Sequence, residues 1–385
     1  MAADKSVGSW LSRRELIAGS TLSALPLLVS PALAEQGATL PPLVMPGPFR
    51  GRVIEISHRG SVSKGVVDRE AVRAMMTRGM LELTGAGDES TAWRCFVRPT
   101  DVVGIKVSAV GFPHAISQPE TLLEVVRGLN LAGVPNERIV FFNRYEDEYR
   151  SAGFDKIVPT GVRQAFSSPG YSENQTGTDN YDLDVYAEFP RVWPGQDPQN
   201  PINRRSHVAV VVSQVVDKVI NVCALKDHSS AGVTMALKNM SHGMTNNVCR
   251  THPDAAHNWC DEFISKVCAL RRIREKVALH IGDGLIAAYD GGPGGFNKHF
   301  AIWEQKSLYF ASDPVAMDRV AWDVLDRQRA SKGLPVLAES GRKRKDPGHE
   351  VFDYRQPNHV LLAGQLGLGE SDLARIERRT IAIKA

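Results

Sequence analysis

Apolar runs of strand length alternate with longer segments of helical spacing along most of this chain. Val53–His58 alternates and predicts a first strand, and Asp68–Thr84 places Val72, Met75, Met76, Met80 and Leu83 at helical intervals. Asp101–Ser108 predicts a second strand, Gln118–Leu131 a helix closed by Gly133, and Arg138–Arg144 a third strand. Strand, helix and strand in so short a span form a βαβ unit, which requires a parallel sheet and a right-handed crossover. Val208–Val212 is expected to open the central strands, followed by Val219–Leu225, Val277–Gly284 and Ser307–Ala311. A helix is expected from about Ala231, another from about Asn258 to Ile273, and a third after Asp313-Pro314, where the aspartate is a strong N-cap. Asn358–Leu362 is expected to be a last strand before a charged C-terminal helix. The pattern predicts an α/β fold with a mixed, largely parallel sheet and helices on both faces. Residues 167–206 lack a clear period and carry Pro190, Pro194, Pro198 and Pro201, which predicts a long polar excursion beside a site.

Asp217–Asn247 concentrates the candidate chemistry. Its apolar strand breaks into Lys226-Asp227-His228-Ser229-Ser230, and ligands in open α/β sheets sit off the carboxyl ends of strands. The helix that follows sets Thr234, Lys238, Asn239, Ser241 and His242 against an apolar face, where a merely solvated face would carry Glu, Lys, Arg and Gln. Lys106, at the end of an apolar strand, is costly to place unless it meets an anion or reaches the surface.

Lys106, Lys226, His228, Lys238, Asn239, His257 and Asp283 are therefore expected to line one pocket. Lys106, Thr234 and Asn239 would bind substrate. His228, Lys226, Lys238 and Asp283 would be catalytic, with His228 or His257 as base and Asp283 as its orienter. A divalent metal, where one is used, would take His228, His257 and Asp283 as ligands. Asp318 is expected to face the same site. The glycine-rich Asp290–Gly295 loop suits either a close approach to an anion or a plain turn.

Export alters this picture. Arg13-Arg14 precedes an uncharged, moderately apolar run broken by Pro26 and Pro31 and ending in Ala32-Leu33-Ala34, a small-x-small cleavage pattern. This looks like a twin-arginine signal peptide over residues 1–34, with the twin-arginine export machinery as partner and the periplasm as destination. No stable membrane span would remain after cleavage, and an uncleaved anchor is the alternative. Residues 35–50 form a Pro-rich lead-in, and 51–385 a single domain. The 385 residues carry a net charge of +3, a balance that argues against nucleic acid as a partner. Five cysteines without a C-x-x-C pair argue against an iron–sulfur cluster and leave one disulfide among Cys249, Cys260 and Cys268 open.

Over roughly residues 50–370 the order of segments resembles the bacterial and archaeal family catalogued as domain of unknown function 362. Four stretches carry the likeness: Asp101–Lys106 with its helix and Gly133; Asn221–His228 followed by Thr234, Lys238 and Asn239; Gly282-Asp283 with the Gly291–Gly295 loop; and Ser312-Asp313-Pro314 with Asp318. Val107-Ser108 departs from the proline and asparagine common there, and the cysteine-rich ferredoxin-like segment of many relatives is missing. The resemblance implies an α/β fold and a shared polar site, without a general reaction. The first expectation is thus a periplasmic enzyme acting on a small carboxylate or phosphate, with or without a divalent metal. A serine hydrolase is disfavoured because no G-x-S-x-G elbow occurs. The alternatives are a binding or maturation factor without turnover, and a structural protein whose polar helix face is solvated.

Overall fold

The computed structural model describes residues 44–384 apart from 172–174, 253–257, 295–298 and 340–355. The expected export signal at residues 1–34, the basic run Arg342–Lys345 and His257 lie outside the described residues. Ten strands form the main sheet: β1 (Arg52–His58), β2 (Val103–Lys106), β3 (Ile139–Tyr145), β4 (Arg163–Ser168), β5 (Lys218–His228), β6 (Gly232–Thr234), β7 (Val277–Asp290), β8 (Ala301–Trp303), β9 (Ser307–Ala311) and β10 (Glu377–Ile383). Their order is β10-β1-β9-β7-β5-β2-β3-β4, with β6 paired to β5 and β8 to β7. The run β7-β5-β2-β3-β4 is parallel, as is the β1/β10 pair, whereas β9 runs antiparallel to both of its neighbours. The mixed, largely parallel sheet expected from the sequence is present.

Both faces are covered by helices. The principal ones are α1 (Arg69–Thr84), α2 (Glu89–Arg94), α3 (Pro119–Leu131), α4 (Glu146–Ser151), α5 (Ala236–Met244), α6 (Cys260–Cys268), α7 (Pro314–Ser331) and α8 (Asn358–Gln365). On β5, Ile220 and Val222 enter the core that holds Val72, Met76 and Leu122 of α1 and α3. Cys223 points the other way, its sulfur 3.9 Å from Met317 of α7. A strand buried on both faces must be apolar throughout, which is why its centre shows no alternation.

Close helix packing depends on absent side chains. Gly128, inside α3, faces Trp93 of α2, and a Cβ there would lie 2.0 Å from the indole ring. Glycine within a helix costs roughly 1 kcal/mol relative to alanine; here it admits the fully buried Trp93.

Several local expectations are corrected. The central helix begins at Ala236, because Gly232–Thr234 turns back to pair with Lys226–His228 as β6. Arg205–Ala209 joins Tyr181–Glu188 in a separate antiparallel ribbon, so the excursion at 167–206 holds a strand, and Val211–Val215 is a π-helical turn instead of central strand. Asn358–Gln365 is a helix, and the last strand is Glu377–Ile383. The apolar run Val360–Leu362 is too short to separate the two states by period. The charged strand β10 is an edge, where charges discourage pairing with other chains. All five cysteines are free thiols.

Gly128→Ala should destabilise the fold by about 1–3 kcal/mol through overpacking against Trp93. Chemical denaturation checks this, and an unchanged midpoint would remove Gly128 from the packing argument.

Candidate functional site

The carboxyl ends of β2, β3 and β5 open onto a cavity of about 410 Å³. Lys106 comes from the last residue of β2, Asn143 and Arg144 from the end of β3, and Lys226 and His228 from the end of β5. Thr234 on β6 faces Lys226 across the strand pair, and Lys238, Asn239 and His242 come from α5. Six of the predicted residues, Lys106, Lys226, His228, Thr234, Lys238 and Asn239, thus share one cavity. The polar face of α5 is buried along with its apolar face, so it is not a solvated surface.

Each lysine is held differently. The Lys106 ammonium donates to the Val107 carbonyl, to Asn143 Oδ1 at 3.0 Å and to Asn239 Oδ1 at 3.3 Å. Asn239 is fixed in turn by donating to Asn221 Oδ1 at 2.7 Å. Lys106 lies against α5 because residue 243 is glycine: a Cβ there would stand 2.5 Å from its Cε. Lys226 donates to Ser108 Oγ at 3.4 Å and to the Ala115 carbonyl at 3.2 Å. The buried Lys238 ammonium lines the cavity, and the buried Thr234 hydroxyl is without a hydrogen-bond partner among the described residues.

Burial, which disfavours the charged amine, holds Lys106 and Lys226 at about 7 and Lys238 at about 8, against an ordinary 10.5. The neighbouring cations act in the same direction: Arg144 on Lys106, and Lys238 on Lys226. Glu148 of α4 is the only carboxylate among the described lining residues, and burial raises its pKa.

His228 is oriented by the backbone. Its Nδ1 accepts from the amides of Ser230 at 3.0 Å and Ala231 at 3.3 Å, so the neutral ring carries its proton on Nε2. Burial keeps the ring neutral, with Lys238 nearby adding to the effect. A histidine expected as base or metal ligand is therefore built as a hydrogen-bond donor.

Asp283 does not join the cavity. It is fully buried and accepts from the Gln118 amide at 2.8 Å, the Thr121 hydroxyl at 2.7 Å and the Leu285 amide at 3.1 Å, which places it at the start of α3. Desolvation pushes its carboxyl to about 6. This position separates it from His228 as an orienter and from any metal in the cavity. Asp318 likewise faces away from the ligand space: it accepts from the amides of Ala236 at 2.7 Å and Leu237 at 3.2 Å, capping α5 where Met235 offers no side chain. Asp313 caps α7 as expected. In the glycine-rich loop the Gly292 amide donates to Asp227 Oδ1 at 2.8 Å, which supports the turn reading. His257 lies outside the described residues.

The sequence reading missed Arg144, Glu148 and the cavity walls Tyr171 and Trp193. Arg144 stands at the end of β3, with Glu148 just beyond it, as Lys226 and His228 stand at the end of β5, so the rule of strand ends could have found them. Tyr171 and Trp193 belong to the polar excursion, which carried no periodic signal.

Comparisons with known proteins place this geometry in a family. The family model described as Domain of unknown function (DUF362) matches residues 103–323, the span that contains the cavity's lysines and α5. A crystallised Thermotoga maritima protein from a structural genomics programme is similar at 10% identity and a TM-score of 0.38, over 71% of this chain and 61% of that one. The chain thus spans about three-fifths of that protein's length. No curated protein matches the chain.

The lysine side chains should titrate in two groups by NMR of isotopically labelled lysine. Lys106, Lys226 and Lys238 are expected to change charge near pH 7–8, well below the ordinary 10.5. Ordinary values for all three would show that their ammonium groups are solvated.

Proposed function

The chain belongs to the domain of unknown function 362 family, and from that premise we propose that it binds a small anion, a carboxylate or phosphate, and acts on it as an enzyme. The observation that carries this reading is the convergence of Lys106, Lys226, Lys238 and Arg144 on one cavity with Glu148 as its only described carboxylate. Buried cations without enough counter-charge are unfavourable, and an anionic ligand supplies the missing charge. The Lys238 ammonium and the Thr234 hydroxyl, the latter without a partner among the described residues, line the space it would fill. His228 Nε2–H would donate to an oxygen of the ligand, and in turnover it would stabilise negative charge that develops there. A lysine amine held near 7 is the group best matched to moving a proton at neutral pH.

Export by the twin-arginine route belongs to the same proposal. It is supported by Arg13-Arg14 and the Ala32-Leu33-Ala34 pattern, and would place the folded protein in the periplasm. Among the described residues no helix is long and apolar enough to cross a membrane.

Anion binding should depend on pH with a definite sign. Lysine is cationic below its pKa, so affinity is highest below pH 7 and falls as pH rises through 7–8, by roughly tenfold per unit for each proton taken up. Calorimetric titration with inorganic phosphate and a panel of mono- and dicarboxylates measures this. Lys238→Met should weaken binding at least about tenfold while leaving the ligand-free protein no less stable, because a buried charge is removed. Binding that is indifferent to both pH and this substitution would reject the anion reading. His228→Gln separates enzyme from binding factor: an enzyme loses turnover while its ligand stays bound, whereas a binding factor loses affinity alone.

A further inference from the structure

A second group of side chains meets at Thr251, along the wall of the cavity. The Thr251 hydroxyl oxygen lies 3.2 Å from His242 Nε2, 2.8 Å from His252 Nδ1 and 3.5 Å from Cys260 Sγ. We assign its one proton to the Val248 carbonyl at 2.8 Å, a partner that can only accept. Two lone pairs therefore face three groups, and at least one of the three is left over.

His242 identifies which. The Ser241 hydroxyl has the Leu237 carbonyl at 3.0 Å and the Lys238 carbonyl at 3.4 Å to receive its only proton; assigned there, it faces His242 Nδ1, 3.2 Å away, as acceptor, and Nδ1 carries the ring proton. Nε2 is then a bare lone pair aimed at an oxygen with no proton left to give, and no other donor reaches it among the described residues. A buried acceptor facing an acceptor is unfavourable, and a cation resolves the conflict. One ligand atom each from His242, His252 and Cys260 lies within 4.8 Å of the other two. Ligand atoms bound to one tetrahedral zinc at about 2.0–2.3 Å stand roughly 3.3–3.8 Å apart, so a small contraction closes the set.

We propose that His242, His252 and Cys260 form a three-ligand site for a borderline-soft divalent cation of the zinc type, with its fourth position open to the lysine-lined cavity. Both histidines line that cavity, and two imidazoles with one thiolate are a donor set that suits zinc, with oxygen-seeking magnesium or calcium excluded by the sulfur. As the metal–sulfur bond forms, the Cys260 thiol loses its proton to solvent, and nothing is oxidised or reduced. His228 is not a ligand, since its Nδ1 is taken by backbone amides and its Nε2 bears hydrogen. The bound ion adds a net single positive charge beside Lys238. The site itself stands whether or not the protein turns over an anion, because it rests on different side chains.

Cobalt(II) tests it without any activity assay. The full chain, stripped by a chelator, should bind one equivalent, release one proton, and develop both the thiolate-to-cobalt absorption of the near ultraviolet and the visible bands of a tetrahedral ion. Cys260→Ser should abolish the thiolate absorption and weaken binding at least about a hundredfold, more than loss of an outer-sphere contact usually costs. Cys249→Ser, altering a thiol that lines the cavity but lies outside the proposed ligand set, should leave both unchanged. Circular dichroism verifies folding, and if the serine variant does not fold, the absorption and proton count of the parent decide alone. Cobalt bound without thiolate absorption, absorption that survives Cys260→Ser, or absence of stoichiometric binding would each overturn the site.

Discussion

Three ammonium groups desolvated in one cavity are the constraint to which the rest of the structure responds. Each loses hydration on burial, and neighbouring cations raise the cost of charging, which is why the amines are held at about 7 to 8 against the ordinary 10.5 of lysine. The fold offsets this with dipoles more than with counter-ions. The Val107 and Ala115 carbonyls and the amide oxygens of Asn143 and Asn239 receive the protons of Lys106 and Lys226. Such partners stabilise a cation without neutralising it, so the cavity keeps its positive potential for a ligand.

The parallel sheet makes this arrangement possible. Strands β2, β3 and β5 run side by side in the same direction, so residues at equivalent heights end at one rim. Each contributes polar side chains just where it stops, and α5, entering after the short β6 reversal, lays Lys238, Asn239 and His242 across the opening. A buried hydrogen-bond chain ties the rim to the core: Lys106 to Asn239, Asn239 to Asn221, and Asn221 to the ring of His280 at 3.1 Å. Fixing Asn239 in this way sets the orientation of its oxygen towards Lys106, and so the position of that ammonium.

The sequence made the rim legible for a physical reason. A lysine at the end of an apolar run, as at Lys106, or after one, as at Lys226, contradicts its surroundings, and the contradiction marks a site. Arg144 escaped notice because a charged residue at a strand end next to further charges looks like ordinary surface. The long apolar runs revealed the strands themselves, though not their ends: β5 continues past Leu225 to His228, and β7 past Gly284 to Asp290. Asn358–Gln365 was misread because three apolar residues fit either period, and β10 was missed because its edge position relieves it of any need for apolar alternation.

Asp283, Asp313 and Asp318 carry a different lesson. Asp283 and Asp318 looked like chemistry and Asp313 like a cap, and each is a buried cap: Asp283 at the start of α3, Asp313 at α7, and Asp318 at α5 from a neighbouring helix. A free helix N-terminus presents unpaired amides and a partial positive charge, so a buried carboxylate is stabilised there without a cation. By consuming its acids in this way the fold keeps them out of the cavity, where they would form ion pairs with Lys106, Lys226 and Lys238 and cancel the field. The cap from Asp318 does more than end a helix, because α5 bears Lys238, Asn239 and His242; a carboxylate on α7 thereby fixes where the cavity's cation and its histidine stand. Acids that hold helices and amines that meet the ligand are two halves of one division of charge, and the second depends on the first.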